Sequence, residues 1–335
     1  MSNTPRPTMK DIARRMNMSV TTISKVINGH ADISERTKQE VFRTIEEMGY
    51  VQNFMASNLR RTKSNMVALV LSDISTPYFS NVIRSYEMTL SEAGYQILIF
   101  GSYENAEKEY NFIRQLSSLQ VAGIILDLAK GSKNSIPTLQ ASGIPYVLSN
   151  RYINHDEGPI VAADNKMAGY LATKHLLERK PGRPVLCING PDDISPTWDR
   201  YNGYCRALHE AGVELQPDYV FSDYYGLEDS FLACKEITRL MEPPFSIFCN
   251  TDLIAMGILS GLRASGLRVP EDVGVIGVDD IEMAAYLTPS LSTIALPKEL
   301  IGEQSAKILI NLMEGLEVEN PICFLPPALI QRETT

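Results

Sequence analysis

The strongest constraint on this chain is an alternation that begins at Met66, where short runs of Val, Ile and Leu are separated by amphipathic segments of helical period. Residues 67–71, 96–100, 123–126, 146–148, 185–188, 246–249 and 273–278 read as strands, and residues such as 81–93 and 106–119 read as helices between them. Strands apolar on both faces must be covered on both faces, and helical crossovers between them make their pairing parallel. The expected core is therefore doubly wound parallel sheet covered by helices on both faces, as in core-bearing α/β lobes. With 335 residues and 44% hydrophobic content there is room for two such lobes and a small further domain. No run of about 18 apolar residues occurs, so no membrane span is expected. The first residues lack the apolar stretch of a secretory signal. Cys187, Cys205, Cys234, Cys249 and Cys323 show no close pairing and read as buried small hydrophobes in a reducing cytoplasm.

Ligands of doubly wound sheets lie beyond the carboxyl ends of the strands. The residues that follow the apolar runs are Asp73, Thr76, Tyr78 and Phe79; Asn150 and Arg151; Asp164; Asn250, Thr251 and Asp252; and Asp279 and Asp280. Carboxylate and guanidinium groups bind adjacent hydroxyls in pairs, and aromatic faces cover the apolar side of a ring. The set suits a sugar or similar polyol.

The first 65 residues carry 11 Lys or Arg against 6 Asp or Glu, a net of +5 in a chain of net -9, so the remainder carries -14. A basic end on an acidic body is an electrostatic footprint for nucleic acid. Within it, Thr8 with Asp11 forms a capping-box pattern ahead of Ile12, Ala13 and Met16, and Ser19 caps a second pattern that turns Ile23, Val26 and Ile27 inward. The short turn between them predicts a helix-turn-helix. Its outer face would then hold Val20, Thr21, Thr22, Ser24 and Lys25, short groups and one cation suited to base edges, a thymine methyl and phosphates. A third helical pattern opens at Ile33-Ser34-Glu35-Arg36-Thr37, where Thr37 is expected on a phosphate. A plain three-helix bundle with solvated charges is the ordinary alternative.

The segment after the third pattern, from Gly49 to Lys63, places Ala56 and Leu59 on one potential helical face with Arg60, Arg61 and Lys63 behind. Such a helix is too short to stand alone in water. Here the chain resembles the lactose/galactose-repressor family of bacterial transcription factors, and the resemblance covers nearly the whole sequence. It implies that Asn53, Ala56 and Leu59 belong to a hinge helix that folds when two copies meet in the minor groove, the leucine wedging between base steps. Gln52 departs from the family, which usually has proline there. Thr8, Ser19, Asn28, Ser34 and Tyr50 are further expected DNA contacts.

For the core, the resemblance implies a periplasmic sugar-binding-protein fold with the effector between its lobes. Thr76-Pro77-Tyr78-Phe79 matches the aromatic segment after the first strand, and Asn150-Arg151 sits where relatives often have Asp-Arg. Arg200 matches the lobe-bridging arginine, Tyr224 an aromatic wall, and Asp279 the acid after the Val-Ile-Gly run. Thr251 and Leu296 depart from the pattern, each replacing an amide and so removing a hydrogen-bonding site. Trp198, the only tryptophan, either stacks on a ligand ring or packs on the lobe surface. The domain expectation is 1–52 for the DNA-binding head, 53–65 for hinge and linker, and 66–335 for the core. Within the core, 66–163 with 294–320 forms one lobe and 164–293 with 321–335 the other.

An enzyme is the rival class, since doubly wound sheets often host one. The chain has no Gly-x-Gly-x-x-Gly after a strand, no phosphate loop and no His-Glu-x-x-His, and His30, His155, His175 and His209 stand singly. The Asp279-Asp280 pair lacks a third acidic ligand for a metal. A solute-binding protein is the third class, against which the basic head and missing signal argue. The expected protein is a cytoplasmic, homodimeric repressor of a pseudo-palindromic double-stranded operator. It would be controlled by a small effector, a sugar or sugar derivative, without cofactor, metal or membrane. A nucleobase or a corepressor protein is the alternative effector.

Overall fold

The computed structural model describes residues 7–27, 32–50, 64–154 and 158–335. They form two compact units, one ending at Ser64 and the other starting at Asn65. The first holds helices α1 (Met9–Met16), α2 (Val20–Ile27) and α3 (Glu35–Met48). Asp11 Oδ2 accepts from the Thr8 amide at 2.9 Å and from its hydroxyl at 2.6 Å, fixing the start of α1. Asn17, at φ 52°, closes α1 in the left-handed region and turns the chain into α2, where Ser19 Oγ accepts from the Thr22 amide at 3.0 Å. Ile12, Ala13, Ile23, Val26 and Val41 bury together as the core of this unit. Val20 and Tyr50, both expected at DNA, also pack, partly buried, against this core. Both are apolar or aromatic groups at the ends of helices, where the small core gains more from covering them than from leaving them in water.

The second unit contains two lobes. The first-lobe sheet has order β11-β5-β4-β3-β1-β2 and is parallel throughout, with β1 Met66–Leu71, β2 Gln96–Gly101, β3 Gly123–Leu126, β4 Tyr146–Ser149, β5 Ile160–Ala163 and β11 Ile322–Leu325. β1 shows why it is covered on both faces. Val67, Leu69 and Leu71 join the cluster containing Val82, Tyr86 and Ile301 from helices α4 (Tyr78–Glu92) and α11 (Lys298–Glu314). Ala68 and Val70 join Ile113, Leu116 and Ile136 from α5 (Ala106–Leu119) and α6 (Ser135–Ser142). Alternate residues thus serve two separate cores, which removes any polar position from the run.

The second-lobe sheet has order β12-β10-β9-β8-β6-β7, from β6 Val185–Ile188, β7 Val220–Phe221, β8 Phe245–Cys249, β9 Val273–Asp279, β10 Ser292–Ala295 and β12 Ala328–Ile330. Only β12 runs antiparallel within it. Its helices are α7 (Asn165–Arg179), α8 (Ser195–Glu210), α9 (Leu227–Leu240) and α10 (Asp252–Ala264). The lobe boundaries expected near 294 and 321 move. Ser292–Ala295 pairs with β9 in the second lobe, and Ile322–Leu325 pairs with β5 in the first. Pro326-Pro327 supplies the reason for the later crossing, since two residues without amide hydrogens end β11 before the chain enters the other sheet as β12.

Candidate functional site

Residues beyond β1, β4, β6, β8 and β9, together with the first turns of α4, α8 and α10, line one cleft between the lobes. On the first-lobe side, fully buried Asp127 accepts from the Ser72 amide at 3.2 Å and from Asn150 Nδ2 at 2.9 Å. Asn150 sits at φ 68°, which an Asn tolerates, and its Oδ1 accepts from the Tyr78 hydroxyl at 3.3 Å. Burial raises the Asp127 carboxyl above its ordinary range and raises the Tyr78 hydroxyl as well. Asp73 Oδ1 accepts from the Ser75 amide at 2.9 Å and its hydroxyl at 2.7 Å, holding the loop that presents Thr76.

Arg151 holds Glu104 in a two-pronged pair, at 3.0 Å and 2.9 Å, and donates to the Leu128 carbonyl at 2.9 Å. From the opposite lobe, the Tyr225 hydroxyl donates to Glu104 and accepts from Arg151 at 3.3 Å. Lys130 lies 3.3 Å from Asp223, and the Tyr152 amide donates to Ser195 Oγ at 3.0 Å. The two lobes are therefore joined by polar contacts around the cleft.

Arg200 is 4% exposed and anchored within its own lobe. Its Nε donates to Asn165 Oδ1 at 2.8 Å, one terminal nitrogen donates to the Asn250 carbonyl at 2.6 Å, and the other lies 3.6 Å from Asp279. These bonds correct the expected bridge: Arg151, Glu104 and Tyr225 span the lobes, whereas Arg200 braces one wall. Two glycines allow the bracing. A Cβ on Gly169 would fall 1.9 Å from the Arg200 carbonyl oxygen, and one on Gly203 would fall 2.1 Å from that of Lys166, so α7 and α8 meet backbone to backbone. Burial lifts the Asp279 carboxyl above its ordinary range although Arg200 and Lys298 oppose the shift. Burial and the neighbouring Asp279 raise Asp252 likewise.

The cleft gathers Asp73, Thr76, Tyr78, Phe79, Asn150, Arg151, Arg200, Tyr224, Thr251 and Asp279. Trp198 lies elsewhere, 62% exposed, because Pro196, Thr197 and Arg200 turn the other face of α8 to the cleft. Thr251 also caps α10, accepting from the Ile254 amide at 3.2 Å, and Leu296 is buried in the apolar cluster. Glu104 and Tyr225 join the site beyond the expected set, each with a signal in the sequence: Glu104 follows β2 by the same strand-end rule, and Tyr225 adjoins Tyr224. His175 pairs with Thr335 Oγ1 at 2.8 Å, and no cluster of metal-ligating side chains occurs among the described residues.

On the head, Thr21 is exposed and Thr22, Ser24 and Lys25 are half-buried. Lys25 Nζ lies 2.5 Å from Asp32 Oδ2, and Thr37 is hydrogen-bonded to Ser34 through both its amide, at 3.2 Å, and its hydroxyl, at 2.8 Å. Asn28, Asn53, Ala56 and Leu59 lie outside the described residues.

A helix-turn-helix head on a two-lobed α/β core with a polar cleft at the strand ends defines a ligand-controlled DNA-binding regulator. The chain belongs to the LacI family: residues 8–53 match the model of bacterial regulatory proteins of the lacI family, and residues 64–323 match that of periplasmic binding proteins and the sugar-binding domain of the LacI family. It is 31% identical to the HTH-type transcriptional repressor CytR of Escherichia coli strain K12, over 98% of this chain and 96% of that one. The structure of the transcriptional regulator CelR–cellobiose complex superposes with a TM-score of 0.76 at 29% identity, over 98% of this chain and 100% of that one. The lac repressor dimer bound to operator and the anti-inducer ONPF shares the fold, with a TM-score of 0.88 at 21% identity over 99% of each chain. Among the described residues no helix is long and apolar enough to cross a membrane.

Proposed function

We propose that the protein is a homodimeric, cytoplasmic transcriptional repressor whose operator affinity is set by a sugar or sugar derivative held between the lobes. It binds its ligand without turning it over. The observation that carries the effector reading is the convergence of acceptors, donors and rings on one cleft: Asp73 and Asp279, Asn150, and Tyr78, Phe79 and Tyr224. Carboxylates take hydroxyls in pairs while the rings cover the apolar face of a pyranose or furanose. The cellobiose held by the similar CelR supports a carbohydrate.

In this reading Thr21, Thr22, Ser24 and Lys25 meet base edges, while Thr8, Ser19, Ser34 and Thr37 meet phosphates. Lys25 exchanges Asp32 for DNA. Effector binding shifts the lobes and thereby the paired heads.

A nucleobase or nucleoside is the second reading, favoured by the four aromatic residues Tyr78, Phe79, Tyr224 and Tyr225 in the lining. Thermal melting of the full chain with sugars, nucleosides and nucleobases separates the two, because a native-state ligand raises the melting temperature by mass action. The stabilising compound is then expected to change operator affinity in fluorescence anisotropy. A compound that the protein converts chemically, or a stabiliser without effect on DNA binding, would overturn the reading.

A further inference from the structure

We infer that the cleft selects an uncharged effector, and that Glu104 is the residue that sets this selectivity; the inference rests on the effector reading above. A phosphate or carboxylate ligand needs free N–H donors, best as a guanidinium fork. Both guanidinium groups in the lining are already committed. Arg151 gives its terminal donors to the two oxygens of Glu104, to the Leu128 carbonyl and to Tyr225, with its Nε 3.9 Å from Asp127. Arg200 is bound to Asn165 and Asn250 and faces Asp279. Lys298, behind Asp279, donates to the Asp279 and Asp280 carbonyls.

Asp73, Glu104 and Asp279 meanwhile place three carboxylates in the wall. The amino ends of α4, α8 and α10 contribute opposing partial charges of about half a unit each. At α10 this is answered in place, since Thr251 caps the helix and accepts from the Ile254 amide.

Glu104 is the pivot of this arrangement. It stands at φ 57° after β2 and accepts from the Lys130 amide at 2.9 Å, from both terminal nitrogens of Arg151, and from the Tyr225 hydroxyl of the other lobe. An anion reaching Arg151 has to displace Glu104 and then sit beside the carboxylate it displaced, in a site where like charges are poorly screened. A neutral polyol meets no such conflict and finds acceptors for its hydroxyls.

The test is thermal melting of the full chain at constant ionic strength with ribose, glucose and adenosine, each paired with its phosphate ester, and with inorganic phosphate alone. The wild-type melting temperature is expected to stay unmoved by every phosphate-bearing probe. Glu104→Gln, which weakens the hold on the Arg151 fork, is expected to be raised by at least one of them. Circular dichroism checks the fold, and Glu104→Ser, which frees the same donors, serves if the amide variant unfolds. A wild-type protein stabilised by any phosphate-bearing probe overturns the inference, and so does a folded Glu104 variant that gains no response. If no uncharged probe stabilises the wild type, the effector is none of these three and the broader screen above decides the effector reading, while the gain in the Glu104 variants still decides the filter.

Discussion

In the proposed reading Asp279 serves binding at the expense of folding. It is 7% exposed and stands at φ 119°, which a non-glycine residue holds only when its surroundings impose it. Burial lifts its folded-state pKa above the unfolded value, with Arg200 and Lys298 resisting. Stability contributed by such a group is fully present below the unfolded value of about 3.9 and is lost as pH rises through the raised folded value. Acidification from neutrality through that raised value therefore relieves the core. Over the same interval protonation turns Asp279 from an acceptor of ligand hydroxyls into a weaker one, so effector affinity is expected to fall as this part of the stability rises. Asp279→Asn should flatten both trends. Arg200→Ala should lower effector affinity indirectly, by removing the bonds to Asn165 and Asn250 that brace the wall and the cation beside Asp279, while leaving operator binding in place. Melting curves and calorimetric titrations at about pH 7 and about pH 5 check the pair. Effector affinity independent of pH in the wild type would show that Asp279 is not an ionised acceptor.

At the scale of elements, the cleft depends on how closely α7 and α8 approach. Gly169→Ala or Gly203→Ala forces a methyl group into a carbonyl of the facing helix, so the helices must separate and carry Arg200 with them. Overpacking of this kind costs about 1–3 kcal/mol, and effector affinity should fall with stability. A variant that melts earlier yet binds effector as the wild type does would show that Arg200 is placed by its hydrogen bonds and not by the helix contact. The recognition helix has its own test. Thr21→Ala and Lys25→Ala should each alter preference among operator variants by about 1–3 kcal/mol at one position of each half-site. Equal loss on all variants would assign both to the phosphate backbone. The central strands were legible because burial on both faces leaves an unbroken apolar run, as in Val67–Leu71. β11 was harder to read: it lies at a sheet edge, its Ile322 and Phe324 are partly exposed, and only its pairing with β5 reveals the lobe it belongs to. The strand-end rule reached most of the cleft wall. It does not state which arginine crosses the cleft, because the Arg151–Glu104–Tyr225 junction joins segments remote in sequence and belonging to different lobes.

For the whole molecule the question is how the occupied cleft is felt by the rest of the core. α11 belongs to the first lobe, where it packs on α4, yet its first residue, Lys298, is 6% exposed and reaches into the second lobe. There its ammonium group donates to the Asp279 carbonyl and, at 2.8 Å, to the Asp280 carbonyl. Asp280 stands at φ 51°, and its carboxylate is held by Arg332 at 2.7 Å. Lys298 thus ties Asp279, the proposed effector acceptor, to the α11–α4 pair, whose other member presents Tyr78 and Phe79 to the same cleft. Coupling between effector and operator in such proteins is typically about 1–3 kcal/mol, or about 5–150-fold in affinity. Lys298→Met should retain measurable affinity for each partner alone while the ratio of operator affinities with and without effector moves toward unity. Lys298→Arg, which keeps the donors, should recover part of the coupling. The measurement is operator binding by fluorescence anisotropy at zero and saturating effector, with circular dichroism to confirm the fold. A coupling ratio in Lys298→Met equal to that of the wild type would mean that the lobes communicate by another route, such as the Arg151–Glu104–Tyr225 junction on the cleft.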